Sequence, residues 1–261
     1  MLQVIKGKLA RPRRVLLYGE HGIGKTTWAA SAENPIVVAT ENGADDVGVD
    51  RTPLLRTTNE VGRWLIDLRS KDEEHGYKTV VIDSLDWLER LIWAATCKDA
   101  GKTSIEDFGY GRGYQYALKR WEELLLMLDC IRNLGITVVL LAHAKVERFS
   151  PPDGDPYDRW APDLHKSVAP LIHEWCDEVF FAALQVDTIT KDEGFGQTRT
   201  RAIGSGDRLV HTCAAPTHAA KRRIELPDQI PLVWSAYRAA WPKSGNVSGI
   251  VRNGSSKTKG K

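Results

Sequence analysis

Gly19-Glu20-His21-Gly22-Ile23-Gly24-Lys25-Thr26 matches the full pattern G-x-x-x-x-G-K-[ST], and its flanks decide the fold. Before it, Arg14-Val15-Leu16-Leu17-Tyr18 is an apolar run of strand type; after it, Thr27-Trp28-Ala29-Ala30-Ser31-Ala32 reads as the opening of a helix. Strand, glycine-rich turn and helix in that order make a phosphate loop. The glycines let the backbone curl so that successive N–H groups face one anion, and the helix N-terminus adds partial positive charge. The expected ligand is a nucleoside triphosphate, ATP, held along residues 19–27. Lys25 is expected to reach its β- and γ-phosphates, and the Thr26 hydroxyl to bind Mg²⁺.

Outward from the loop, strand and helix signals alternate. Ile36-Val37-Val38-Ala39-Thr40 is a buried-strand run ending at Glu41. A helix capped at Thr58 or Asn59 carries Val61, Trp64, Leu65 and Leu68 on one face. Thr79-Val80-Val81-Ile82 is a second buried strand, ending at Asp83-Ser84, and Leu85, Leu88, Ile92 and Ala95 continue at helical spacing. Residues 101–113 turn to Gly, Tyr, Phe and charge. A long amphipathic helix follows, with Leu118, Trp121, Leu125, Leu128, Ile131 and Leu134 inward and Gly135 as its stop. Ile136-Thr137-Val138-Val139-Leu140-Leu141 is a third buried strand and ends at Ala142-His143. Residues 149–163 are rich in Pro, Asp and Gly and read as a loop. Beyond them the pattern is antiparallel, over 178–186, 198–203 and 208–212, with a turn near Asp192-Glu193-Gly194.

Apolar strands separated by helices predict an α/β fold: a mostly parallel central sheet flanked by helices, with a C-terminal antiparallel hairpin. Ligands of such sheets sit at the carboxyl ends of the strands, which is where Glu41, Asp83 and His143 fall.

Composition bounds the partners. With 42% hydrophobic residues over 261, the chain can bury one large core. Residues 1–242 read as a single domain. Residues 243–261, rich in Gly, Ser, Asn and Lys, read as a disordered basic tail. The tail holds five basic residues and no acid; taking those five from 36 leaves 31 basic against 34 acidic residues in the body. A nucleic-acid surface on the body must therefore be local. The four cysteines form no C-x-x-C pair and read as reduced thiols of a cytoplasmic protein, and His173-x-x-Cys176 is half a zinc site without a second half. No 18-residue apolar run signals a membrane span, so no membrane partner is expected.

Hydrolysis of a triphosphate needs carboxylates beside the phosphate cradle. Asp83 is placed to hold Mg²⁺ with Thr26, although Asp83-Ser84 also suits a helix cap. Glu41 can orient or deprotonate the attacking water, or be a plain exposed strand end. His143 can hydrogen-bond the γ-phosphate, or be a structural histidine.

The order of these pieces resembles the RecA-like ATPase core. More narrowly it resembles the small phage-encoded RecA-like proteins of recombination and single-strand annealing. The matching pieces are Leu17-Tyr18-Gly19 through Thr27, Ala39-Thr40-Glu41, Val81-Ile82-Asp83-Ser84, Gly109-Tyr110-Gly111-Arg112-Gly113-Tyr114, Leu140-Leu141-Ala142-His143, and Ala220-Lys221-Arg222-Arg223 ahead of Pro227. The resemblance covers residues 10–235. It implies that Glu41 is the catalytic glutamate and that His143 stands where RecA has a nucleotide-sensing Gln. It also implies that Lys221 and Arg223 reach the ATP of a neighbouring protomer, with Arg208 a competitor for that role. DNA is implied on two segments, 101–114 and 145–166, where Lys102, Arg112, Tyr114, Lys145, Arg148, Arg159 and Trp160 interleave charge with rings.

The implied function is that of an ATP-dependent recombinase that binds single-stranded DNA, assembles with itself into a filament or ring, meets a single-strand-binding protein and works in the host bacterial cytoplasm. The alternatives are a ring-forming helicase or helicase loader, and a nucleotide switch that binds proteins rather than DNA.

Overall fold

Each apolar run alternates side chains between two faces, and both faces are covered. In the runs at 15–18, 36–38, 80–82 and 138–140, the even-numbered residues pack into one core cluster and the odd-numbered ones into another. That double burial is why the strands are continuously apolar rather than alternating.

The computed structural model describes residues 11–70, 75–192 and 198–241. In chain order the elements are β1 (Arg14–Gly19), α1 (Lys25–Ala30), β2 (Pro35–Ala39), β3 (Asp50–Arg51), α2 (Thr58–Ser70), β4 (Thr79–Asp83), α3 (Leu85–Asp99), α4 (Arg112–Asn133), β5 (Thr137–Phe149), β6 (Tyr157–Pro162), α5 (Val168–Trp175), β7 (Glu178–Asp192), β8 (Thr198–His211), β9 (Gln229–Pro231) and α6 (Trp234–Ala239). The sheet order is β3-β2-β4-β5-β1-β7-β8-β9, with β6 paired to β5 alone. The strands from β3 to β7 run parallel; β8 and β9 add the antiparallel C-terminal extension. This is the RecA-like P-loop fold.

One point of register sets up the site. β5 lies between β1 and β4, and Gly19 aligns with His143 while Asp83 aligns with Leu141. The histidine therefore stands between the phosphate loop and Asp83.

Two expectations are corrected, and two short helices are added. Residues 149–163 are not a loop: β5 runs on to Phe149 and returns through β6, in register from Ala144–Pro162 to Phe149–Tyr157. Only the turn between these strands has the Pro, Asp and Gly composition, and that composition masked the alternating residues on either side. The helices α5 and α6, of eight and six residues, are too short to show a helical period. The cap of α2 is Thr57: its hydroxyl accepts the Glu60 N–H at 3.2 Å, and Glu60 accepts the Thr57 N–H at 2.9 Å, a reciprocal capping box. The turn at residues 193–194 and the tail over 243–261 lie outside the described residues.

Candidate active site

The phosphate loop is shaped by its glycines. A Cβ on Gly19 would come within 2.5 Å of the Ala182 carbonyl oxygen, so only glycine lets β1 pass β7 there. Gly24, at φ +106°, is the N-cap of α1 and offers no side-chain acceptor, leaving the first helical N–H groups free to face an anion. Lys25 is buried, and its Nζ donates to the Gly19 and Glu20 carbonyls at 3.0 Å each. Burial pushes its pKa down, against the pull of Asp83, Glu41 and Asp86. A buried ammonium held only by loop carbonyls is matched to an incoming phosphate.

Thr26 Oγ1 donates to Asp83 Oδ2 at 2.7 Å. Burial pushes the Asp83 carboxyl up, while the Thr26 hydroxyl and Lys25 restrain it. This pair of hard oxygens fits Mg²⁺, which would supply charge neutralisation along the phosphates. Glu41 faces the same space from the end of β2. Burial raises its pKa too, opposed by His143 and reinforced by Asp83 and Asp86. Glu41 Oε1 lies 3.9 Å from His143 Nε2. The His143 ring is stacked on His21 of the phosphate loop at 3.6 Å between centroids. Desolvation, with His143 and Lys25 nearby, lowers the His21 pKa.

Lys25, Thr26, Asp83, Glu41, His143 and His21 are thus brought together. Sequence reasoning missed Asp86, in the first turn of α3. It is buried, and it accepts the His143 backbone N–H at 3.1 Å and the ring Nδ1 at 2.9 Å. The partners are 57 residues apart, so only the fold could join them. One turn along α3, the buried Glu89 accepts the His165 backbone N–H at 3.1 and 3.0 Å. Burial pushes its carboxyl up to about 7, against that N–H. Two acids on one helix face therefore hold both roots of the β5–β6 hairpin.

The basic residues expected to act across protomers lie elsewhere in this chain. Lys221 bridges to Val179 at the amino end of β7, and its Nζ donates to the carbonyls of His173, Glu174 and Cys176 at 2.8, 3.1 and 2.8 Å. Arg223 pairs with Asp177 at 3.2 Å. Arg208 instead lies beside the phosphate loop, its Nη1 3.0 Å from where a Gly24 Cβ would stand. It lines a cleft of about 390 Å³ with Gly24, Thr27, Leu232, Trp234 and Arg238.

Of the residues singled out for DNA, Lys102 and Arg112 are exposed. Tyr114 is stacked on His165 at 3.9 Å and bonded to Glu106. On the hairpin, Lys145 donates to the Leu164 carbonyl at 2.5 Å, Arg148 pairs with Asp158 at 3.3 Å, and Arg159 grips Glu147 at 3.0 and 2.8 Å. Trp160 packs on the core, its ring 5.8 Å from Phe181. The fully exposed ring in this region is Tyr110, at φ +50° between two positive-φ glycines.

The loop, the intervening β5 and the acids at neighbouring strand ends define a P-loop ATPase domain of RecA-like fold. A protein-family model described as an AAA domain matches residues 11–224, and the chain belongs to that family. Among solved structures it is similar to a KaiC-like protein of the hyperthermophilic archaeon Pyrococcus horikoshii OT3, at 14% identity and TM-score 0.38, over 77% of this chain and 85% of that one. None of the curated proteins matches the chain significantly. Among the described residues, no helix is long and apolar enough to cross a membrane.

Proposed function

We propose that this protein is a Mg²⁺-dependent ATPase that binds single-stranded DNA and promotes annealing or pairing of strands, with ATP hydrolysed between protomers. Lys25 orients the phosphates, Thr26 and Asp83 hold the metal, and Glu41 acts on the water. The observation that carries the link to DNA is the continuity of β5, which passes His143 at the phosphate site and runs unbroken into the hairpin bearing Lys145 and Arg148. A shift at His143 moves that hairpin directly. The exposed Tyr110, with Lys102 and Arg112 nearby in sequence, offers a ring and charges suited to a single strand. Lys221 and Arg223 would act only if a second protomer docked its amino-end face on the phosphate loop.

A second reading, a protein-binding nucleotide switch, is favoured by the pairing of Arg148 and Arg159 with Asp158 and Glu147, which leaves the hairpin little net charge. ATPase rate with and without single-stranded DNA, at low and high salt, separates the two. Stimulation that fades with salt supports the recombinase. No stimulation and no binding at low salt would leave the switch. Recovery of activity on mixing Lys221→Ala with Lys25→Ala protein would support catalysis across protomers.

A further inference from the structure

We propose that Asp86 is a positioning residue for hydrolysis: it locks His143 in the tautomer whose Nε2 accepts, so that Nε2 and the Glu41 carboxylate together hold the attacking water by its two protons. The inference rests on the ATP-hydrolase reading above.

Both oxygens of Asp86 accept from His143, one from the backbone N–H and one from the ring. Burial alone would raise the Asp86 carboxyl, but these hydrogen bonds hold it below the ordinary range, so it carries no proton. A carboxylate can only accept, so Nδ1 carries a proton, and when the ring holds a single proton Nε2 keeps its lone pair. The stacked His21 ring covers one face of His143 and opposes rotation out of this pose. At 3.9 Å, Nε2 and Glu41 Oε1 are too far apart for a direct hydrogen bond. A single water can bridge two acceptors at that spacing, and with both protons engaged its lone pairs are the free part of it.

Hydrolysis then balances simply. The water oxygen bonds to the γ-phosphorus, and the bond to the bridging β-oxygen breaks, its electron pair leaving with ADP. One water proton passes to Glu41, and the other stays on the product phosphate within reach of Nε2. Glu41, Asp86 and His143 also lie close enough to share a cation. Both Asp86 oxygens already accept from His143, however, which leaves two ligand atoms, too few for a built metal site.

The test pairs a spectrum with kinetics on the full chain. Nitrogen-15 NMR of His143 without nucleotide, at about pH 8 where an ordinary imidazole is neutral, should show a protonated Nδ1 and a bare Nε2; H143Q assigns the signal. In D86N the new amide keeps its oxygen on the backbone N–H, which can only donate, and turns its NH₂ toward Nδ1. The proton then moves to Nε2, and kcat for ATP should fall about 10–100-fold while KM changes less than about 2-fold. In an H143Q background, D86N should add no further loss.

A wild-type ring protonated on Nε2 would overturn the proposal. So would a flipped tautomer with kcat unchanged, or the same loss from D86N in both backgrounds. A wild-type protein that hydrolyses no ATP would overturn the ATPase reading instead, and the NMR result would still judge the lock by Asp86.

Discussion

At the amino ends of β1 and β7, Arg13 sits on Glu178, Arg14 on Asp177 and Asp129, and both Arg132 and Arg223 on Asp177, while Lys221 closes the carbonyl end of α5. At the carboxyl ends of the same sheet, Glu41 and Asp86 crowd around one histidine, Asp83 accepts from Thr26, and Lys25 touches only backbone carbonyls. Both ends bury charge. At the amino end each acid is met by a guanidinium with several donors, which makes that end a bolt. The carboxyl end is left with desolvated carboxylates and a buried ammonium, an arrangement that becomes favourable when phosphates and a divalent cation complete it. Buried charge that is complete within the chain reads as structure; buried charge that is incomplete reads as a site.

The contrast can be broken from either side. Lys25→Ala should have the largest effect, lowering ATP turnover by at least ~10²–10³-fold with the melting temperature held or raised, as a steady-state ATPase assay and a thermal melt would register. Asp177→Ala should do the reverse. It removes the carboxylate that Arg14, Arg132 and Arg223 share and should cost about 3–5 kcal/mol of stability in urea unfolding, with ATP affinity of the folded protein unchanged.

The pH signatures should also differ in sign. Asp177 is buried, yet Arg14 and Arg132 hold its carboxyl below the ordinary range. It therefore contributes stability above its unfolded pKa that is lost as pH falls through the depressed folded value. Glu89 is raised to about 7, so its contribution is full below the unfolded pKa and is lost as pH rises through 7. Glu89→Gln mimics the protonated acid. It should match wild type in acid and exceed it by up to about 3 kcal/mol above pH 8, read as the difference in urea midpoint across pH. Lys221→Ala should show the smallest effect, about 1–2 kcal/mol from the lost helix-end hydrogen bonds.

Much of this was legible in the chain, and the parts that were not share a cause. The strands and the phosphate loop could be read because their signals are local: apolar runs of strand length and fixed glycine spacing. Glu41, Asp83 and His143 followed as residues that end such runs. The β5–β6 hairpin was hidden by the Pro151-Pro152-Asp153-Gly154 turn, whose composition outweighed the strands beside it. Asp86 was hidden for a different reason. An acid in the first turn of a helix is ordinary in sequence, and only the parallel register of β4 and β5 carries it to His143. Lys221 and Arg223 read as free charges because their acceptors, the end of α5 and Asp177, lie about 45 residues earlier.

The most direct test is Glu41→Gln, with ATP affinity and ATP turnover measured on the same protein. The site described here predicts binding within about twofold of wild type and turnover lower by ~10²–10⁴-fold, the range of a lost general base. Turnover at the wild-type rate would mean that the acids at the strand ends do not carry the hydrolysis.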